Sequence, residues 1–331
     1  MYEEFYHFTG LPFLLTPDRR FFFDSSGHSR AIAHLVYGLS QQEGFIVITG
    51  EVGAGKTTLV ERLWSQLDRK SYVMARVVTT QVSGDDLLRL TMAGFGLGET
   101  QGTEKSTLLL RFERLVREHR EGGRRLLLLV DEVQNLSLAA LEELRMLSNI
   151  TVDGHASVQT ILLGQPQFRP ILASPDVEQL RQRVLASYHL GPLTEPETKG
   201  YIEHRLKLVG WSADPIWHAD AFVMVHKHTG GIPRRINTLC SRVLLYGALE
   251  ETHIITAAMV EATAAELNQD LGSGGVVSSR TPREISGASA SSSELDLLTG
   301  RIEMLERSSQ RQERLVRHLL DLVEAVNEAK R

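Results

Sequence analysis

Residues 50–57 read Gly-Glu-Val-Gly-Ala-Gly-Lys-Thr, and they constrain the fold more than any other stretch of the chain. The octet satisfies G-x-x-x-x-G-K-[ST], with Gly50, Gly55, Lys56 and Thr57 in the required positions. Glycines at this spacing let the backbone turn so tightly that several N–H groups face one anion, and the helix that follows adds its positive end. Glu51, Val52, Gly53 and Ala54 complete the loop, and Thr58 continues it into the helix. Lys56 is expected to reach the β- and γ-phosphates of a nucleoside triphosphate, and the Thr57 hydroxyl to hold Mg²⁺. The flanks agree. Gly44 to Thr49 is an apolar, β-branched run of a buried strand, and Leu59, Val60, Leu63 and Leu67 then recur at helical spacing.

The rest of the chain narrows the class. At 331 residues it can hold two packed units, and 42% hydrophobic with 23% charged residues is an ordinary globular balance. A net charge of −5 provides no overall footprint for nucleic acid or an anionic membrane, so nucleic acid is not an expected partner. Cys240 is the only cysteine, which excludes an internal disulfide and suits a reducing cytoplasm. No stretch approaches the ~20 apolar residues of a spanning helix, and Met1 to Phe8 lacks the features of a secretory signal. A cytoplasmic protein without a transmembrane segment is expected.

Strands are expected at Tyr72–Thr79, Leu126–Val130, Val158–Leu163 and Leu185–Leu190, alternating with helices near 85–95, 107–119 and 138–147. Alternation of this kind implies an α/β fold with a parallel sheet covered on both faces. The aromatic N-terminus (Tyr2, Phe5, Tyr6, Phe8, Phe13, Phe21, Phe22, Phe23) is expected to pack on the body, either as core or as an adenine pocket. From Pro192 the pattern turns to helices only, near 199–209, 218–228, 234–249 and 256–268. The expected divisions are a nucleotide-binding domain with its N-terminal extension (1–191), a helical lid (192–268), a Ser/Gly-rich linker (269–293) and a heptad helix (294–331). In that helix Leu295, Leu298, Ile302, Leu305, Val316, Leu319, Val323 and Val326 hold an a/d register interrupted by Ser309 and Gln312. It suits a coiled coil or a partner-docking helix, and a lone amphipathic helix folded onto the body is the alternative.

Four further constellations carry chemistry. Leu126 to Val130 ends in Asp131 and Glu132: the first carboxylate can hold Mg²⁺ through water, and the second can orient or deprotonate an attacking water. The strand ending at Gly164-Gln165 offers an amide to the γ-phosphate or that water, unless Gln165 only caps the next helix. Leu180-Arg181-Gln182-Arg183 offers an arginine finger to a neighbouring subunit, with Arg183 preferred over Arg181. Gly231-Ile232-Pro233-Arg234-Arg235 starts a helix from which Arg234, ahead of Arg235, can reach a phosphate across a domain boundary.

Taken in this order, with Tyr2-Glu3-Glu4-Phe5-Tyr6, Leu11-Pro12-Phe13, Thr16-Pro17-Asp18 and Val130-Asp131-Glu132-Val133-Gln134-Asn135-Leu136, these elements resemble the AAA+ ATPases. More narrowly, they are similar to the subgroup that contains the general secretion pathway ATPase and the secretion ATPases of exosortase and exopolysaccharide loci. The resemblance covers residues 1 to about 268. It implies a P-loop αβα sandwich with strand order 5-1-4-3-2, a small all-α lid, ATP and Mg²⁺ as cofactors, and a homo-oligomeric ring that binds ATP between subunits. The implied function is ATP hydrolysis that energises or gates assembly of an envelope export system, with inner-membrane export components as partners through the heptad helix. A DNA-associated ATPase of the transposition-helper type and a slow-turnover ATP-dependent scaffold are the rival expectations. The general secretion member continues into a membrane span and a peptidoglycan-binding domain; here the linker and heptad helix stand instead.

Overall fold

The apolar run before the glycine loop is the penultimate strand of a five-stranded parallel sheet. In the computed structural model, which describes residues 2–16, 18–78, 83–98, 102–152 and 154–272, the strands are β1 (Phe45–Gly50), β2 (Tyr72–Val78), β3 (Arg125–Asp131), β4 (Val158–Gly164) and β5 (Val184–Leu190). Their lateral order is β2-β3-β4-β1-β5, all pairs parallel, which is the expected 5-1-4-3-2 arrangement. Every residue of β1 and β4 is buried, as strands sandwiched on both faces require.

Side chains alternate between two cores. Ile46, Ile48, Leu127, Leu129, Ile161 and Leu163 pack under α1 (Ser26–Gln41) and α2 (Lys56–Gln66). Phe45, Val47, Leu128, Val130 and Leu162 pack on the other face under α3 (Gly84–Gly94), α4 (Lys105–Glu121) and α5 (Leu138–Asn149). Helix α1 has no counterpart in the sequence expectations. Its apolar seam, Ala31, Leu35 and Leu39, is blurred by the exposed Val36 and Tyr37 beside it. Gly38 brings this helix close to β1, since a Cβ there would meet Ile46 Cγ1 at 2.5 Å.

Beyond β5 the chain builds α6 (Glu195–Lys207), α7 (Ala219–Thr229), α8 (Pro233–Leu249) and α9 (Ala257–Gly272). Thr194 and Glu197 form a full capping box at the start of α6. Three details differ from the sequence expectation. The region is not purely helical, because Ile216–Trp217 pairs in parallel with Ile254–Ile255. Helix α9 runs on to Gly272, into the stretch read as linker. The aromatic extension, assigned to the first domain, packs into the helical one: Tyr2, Tyr6, Phe8, Phe13 and Phe21 share a core with Ile202, Leu206, Leu239 and Val243. Backbone polar groups fix it there. Arg205 Nε donates to Pro12 O at 2.7 Å, Tyr6 OH to Thr252 O at 3.1 Å, and Thr9 N to Val209 O at 2.9 Å. The remainder of the linker and the heptad helix lie outside the described residues.

Candidate functional site

The glycine loop leaves the C-terminal end of β1 and enters α2 without a side-chain cap. Gly55, the N-cap residue, sits at φ 99°, in the left-handed region that glycine adopts without strain. With no side-chain acceptor at this cap, the first N–H groups of α2 are left as donors for an anion. Gly53 is equally specified, at φ 82°, with the Arg234 side chain where a Cβ would stand. Lys56 is buried, and its Nζ donates to Gly50 O at 2.7 Å and Glu51 O at 3.0 Å. Burial pulls its pKa down, against the upward pull of Glu132, Asp131 and Glu51. Ala54 is buried under the loop, and Val52 stands exposed at its tip.

The two carboxylates at the end of β3 are handled differently. Asp131 is buried, and its Oδ2 accepts from Thr57 Oγ1 at 3.1 Å. This couples the two residues expected to hold Mg²⁺. Glu132 has a left-handed backbone (φ 53°) and turns its carboxylate into a polar cluster. Its Oε2 accepts from Gln165 Nε2 at 2.9 Å and Gln134 Nε2 at 2.6 Å, while Gln134 Oε1 accepts from Gln165 N at 2.9 Å. Burial pushes the Glu132 carboxyl up, yet the two amide donors and Lys56 outweigh it and hold the pKa below the usual range. The helical unit closes the far side. Arg234 N donates to Gly53 O at 3.2 Å. A cleft of about 290 Å³ runs between, lined by Gly53, Gly55, Lys56, Thr57, Thr58 and Glu132 on one side and by Phe21 to Phe23, Leu193, Tyr201, Arg234 and Asn237 on the other.

An uncapped glycine loop, a hydrogen-bonded Thr57–Asp131 pair and a neighbouring carboxylate stand together at one edge of the sheet, and they are the donor types that a magnesium nucleotide needs. Residues 39–172 match the AAA domain family. The chain carries an AAA domain. It is similar to general secretion pathway protein A of Aeromonas hydrophila, with 35% identity over 272 residues that cover 81% of the chain. The chain spans about half of that curated relative, 49% of its length. Solved structures with a similar fold include Cdc6p of Pyrobaculum aerophilum (TM-score 0.58, 15% identity, 80% of this chain and 70% of that one). Another is the Aeropyrum pernix ORC2 protein in its ADPNP–ADP complexes (TM-score 0.55, 17% identity, 76% of this chain and 72% of that one).

The aromatic extension, which precedes the matched residues, is core at most positions and meets the cleft at its end. Tyr2, Tyr6, Phe8 and Phe13 are core, and Phe21, which shares that core, also lines the cleft beside Phe22 and Phe23. Arg234 lines the cleft and Arg235 does not. Arg181 and Arg183 part company. Arg181 Nη1 donates to Ala173 O at 3.2 Å, in a hollow with Thr49 and Arg169. Arg183 lies by the first residue of β5, at the sheet edge away from the loop, and its Nη1 donates to Ser148 O at 3.0 Å.

Three participants escaped the sequence reading. Arg76, on β2, donates from Nη2 to Asp131 Oδ2 at 3.2 Å and pairs with Glu61 at 3.5 Å. Gln134 links Glu132 to Gln165. His28, on α1, is buried against the loop: its Nδ1 shares a hydrogen bond with Ser25 Oγ at 2.7 Å, and a Cβ on Gly55 would come within 2.9 Å of its Nε2. Burial holds the His28 pKa below its ordinary value, so the ring is neutral at pH 7. Arg76 alone left a trace in sequence, as a cation placed in the strand next to the acidic one.

Proposed function

We propose that this protein binds and hydrolyses ATP, and that hydrolysis energises or gates assembly of an envelope secretion or exopolysaccharide export system. The observation that carries the enzymatic part is the Thr57–Asp131 hydrogen bond beside buried Lys56, with Glu132 next in sequence. Bound ATP with Mg²⁺ supplies the transferable phosphoryl group and neutralises its oxygens. Lys56 and the loop N–H groups bind the β- and γ-phosphates, and Thr57 and Asp131 hold the metal, with Arg76 orienting the Asp131 carboxylate. Glu132, steadied by Gln134 and Gln165, accepts the proton of the attacking water. Its Oε1, outside the amide pair, is the oxygen left for that task. Arg234 reports γ-phosphate occupancy to the lid, and Arg183 or Arg181 serves the site of a neighbouring subunit in a ring.

The division into a nucleotide domain, a lid at 192–268, a linker and a partner-binding heptad helix belongs to this proposal, as does a cytoplasmic location that becomes peripheral at the inner membrane through a partner. The likeness to general secretion pathway protein A supports the export context. Titration of ATP with and without Mg²⁺ tests the enzymatic part. Thr57→Ala is expected to bind ATP without the gain that Mg²⁺ gives the wild type. An unchanged Mg²⁺ effect contradicts the assignment.

A further inference from the structure

A second cleft, of about 510 Å³, opens at the opposite edge of the same sheet. It is bounded by the N-terminal ends of β2, β3 and β5 and by the C-terminal ends of α1, α4 and α5. Strand β3 runs seven residues between the two edges. At ~3.3 Å per residue it separates this cleft from the phosphate loop by about 20 Å, so no side chain serves both.

Four arginines line it: Arg120, Arg124, Arg125 and Arg183. Among the described residues Glu43 is the one carboxylate in the lining, and none of the four arginines forms an ion pair. Three are held in place by neutral groups. Arg120 Nη1 donates to Val152 O at 3.2 Å and Arg183 Nη1 to Ser148 O at 3.0 Å. The Arg125 guanidinium lies 5.9 Å from the centre of the Tyr72 ring, and with the Gln42 amide in its satisfied orientation Arg125 Nη2 and Nη1 donate to the Gln42 side-chain oxygen at 2.9 and 3.1 Å. Each of these contacts leaves further N–H donors uncommitted.

Helix C-termini explain part of the positive charge but not all of it. Three helix ends contribute about −0.5 each, roughly −1.5 together, against +4 from the guanidinium groups. Glu43 removes one more, which leaves a surplus of about +1.5 among the described residues of the cleft. The cations here are guanidinium groups, whose planar forks match phosphate oxygens two at a time, and Tyr72 adds an aromatic face. The volume falls within the ~300–1,000 Å³ of small-molecule sites. We propose that this cleft is a second anion site, which takes a small molecule bearing two or more phosphate groups. The proposal does not rest on the reading of the first cleft.

Calorimetric titration of inorganic tripolyphosphate into full-length Lys56→Ala protein, without Mg²⁺ or nucleotide, tests it. The expected result is one site per chain, weakened at least tenfold when Arg124→Glu and Arg125→Glu are added. Arg124→Ala with Arg125→Ala, which introduces no new charge, is expected to weaken it in the same direction with an unchanged circular dichroism spectrum. Arg183 is kept intact because it also carries the proposed role toward a neighbouring subunit. The proposal is overturned by absence of binding in Lys56→Ala or by arginine variants that both bind as tightly as Lys56→Ala itself. It is overturned too by tighter, salt-sensitive retention of duplex DNA, or by binding only at concentrations where the chain self-associates.

Discussion

The two edges of the central sheet collect opposite kinds of chemistry. At the C-terminal edge of the strands the two carboxylates at the end of β3 and the loop lysine each have a partner. Asp131 is bonded by Thr57 and Arg76, Glu132 by two amides, and Lys56 by two carbonyls. At the N-terminal edge four arginines gather with one carboxylate in the lining among the described residues. A parallel sheet sends the N-termini of its covering helices to the first edge and their C-termini to the second. The first edge is therefore an anion site by backbone design, with glycines that let phosphate approach. Only side chains can make the second edge positive, and here they do so beyond what the helix ends require.

Breaking this contrast should produce effects of graded size. The largest is expected from Lys56→Ala, which removes the buried ammonium and should abolish measurable ATP binding in a fluorescence titration. Next is Gly53→Ala. A Cβ at φ 82° is strained, and it collides with Arg234, so about 1–3 kcal/mol of stability should be lost in a denaturant titration. The same variant should loosen the lid, seen as faster proteolysis between 192 and 233.

A third prediction concerns Gln134. Gln134→Leu removes one of the two amide donors that hold the Glu132 carboxyl down, so its pKa should rise. As the base must be ionised, the acid limb of the kcat–pH profile should move to higher pH. An unmoved limb would show that Gln134 does not govern the basicity of Glu132.

Smaller again is the effect at the junction of lid and sheet. Glu197 caps its own helix and also accepts from Ser26 N at 2.8 Å, at the start of the helix that carries His28. Burial raises its pKa, but the N–H and hydroxyl donors of Thr194 and Ser26 prevail and hold it at about 2, against an ordinary 4.5. A carboxyl lowered in the folded state contributes fully above pH 4.5, and that contribution fades as pH falls toward 2. Stability measured from pH 6 to pH 3 should therefore fall less steeply in Glu197→Gln than in the wild type. The smallest effect is expected from Arg124→Glu with Arg125→Glu, which should leave basal ATP turnover unchanged and so separate the two edges functionally.

How much of this was legible in sequence follows from the range of each interaction. Strands β1 and β3 carry continuous apolar runs, β4 carries Ile161 to Leu163, and the phosphate loop is contiguous in sequence, so all could be read directly. Arg76 and Asp131 meet only through the β2–β3 register, which pairs Val78 with Asp131 and puts Arg76 two residues back. Gln134 acts through the left-handed turn at Glu132, which no local pattern announces. The arginine cleft assembles residues from 120 to 183 at strand and helix ends and has no motif at all. The aromatic density of the extension implies packing, but its place depends on Arg205 and Asn237, nearly two hundred residues or more downstream in the chain, which bond its carbonyls.

The central claim is that Glu132 is the base of an ATP-hydrolysing site that Lys56, Thr57 and Asp131 assemble. Its most direct test is phosphate release by Glu132→Gln protein whose ATP affinity is measured in the same preparation. The account predicts wild-type affinity with turnover lowered by about 10²–10⁴. Wild-type turnover in that variant would contradict it.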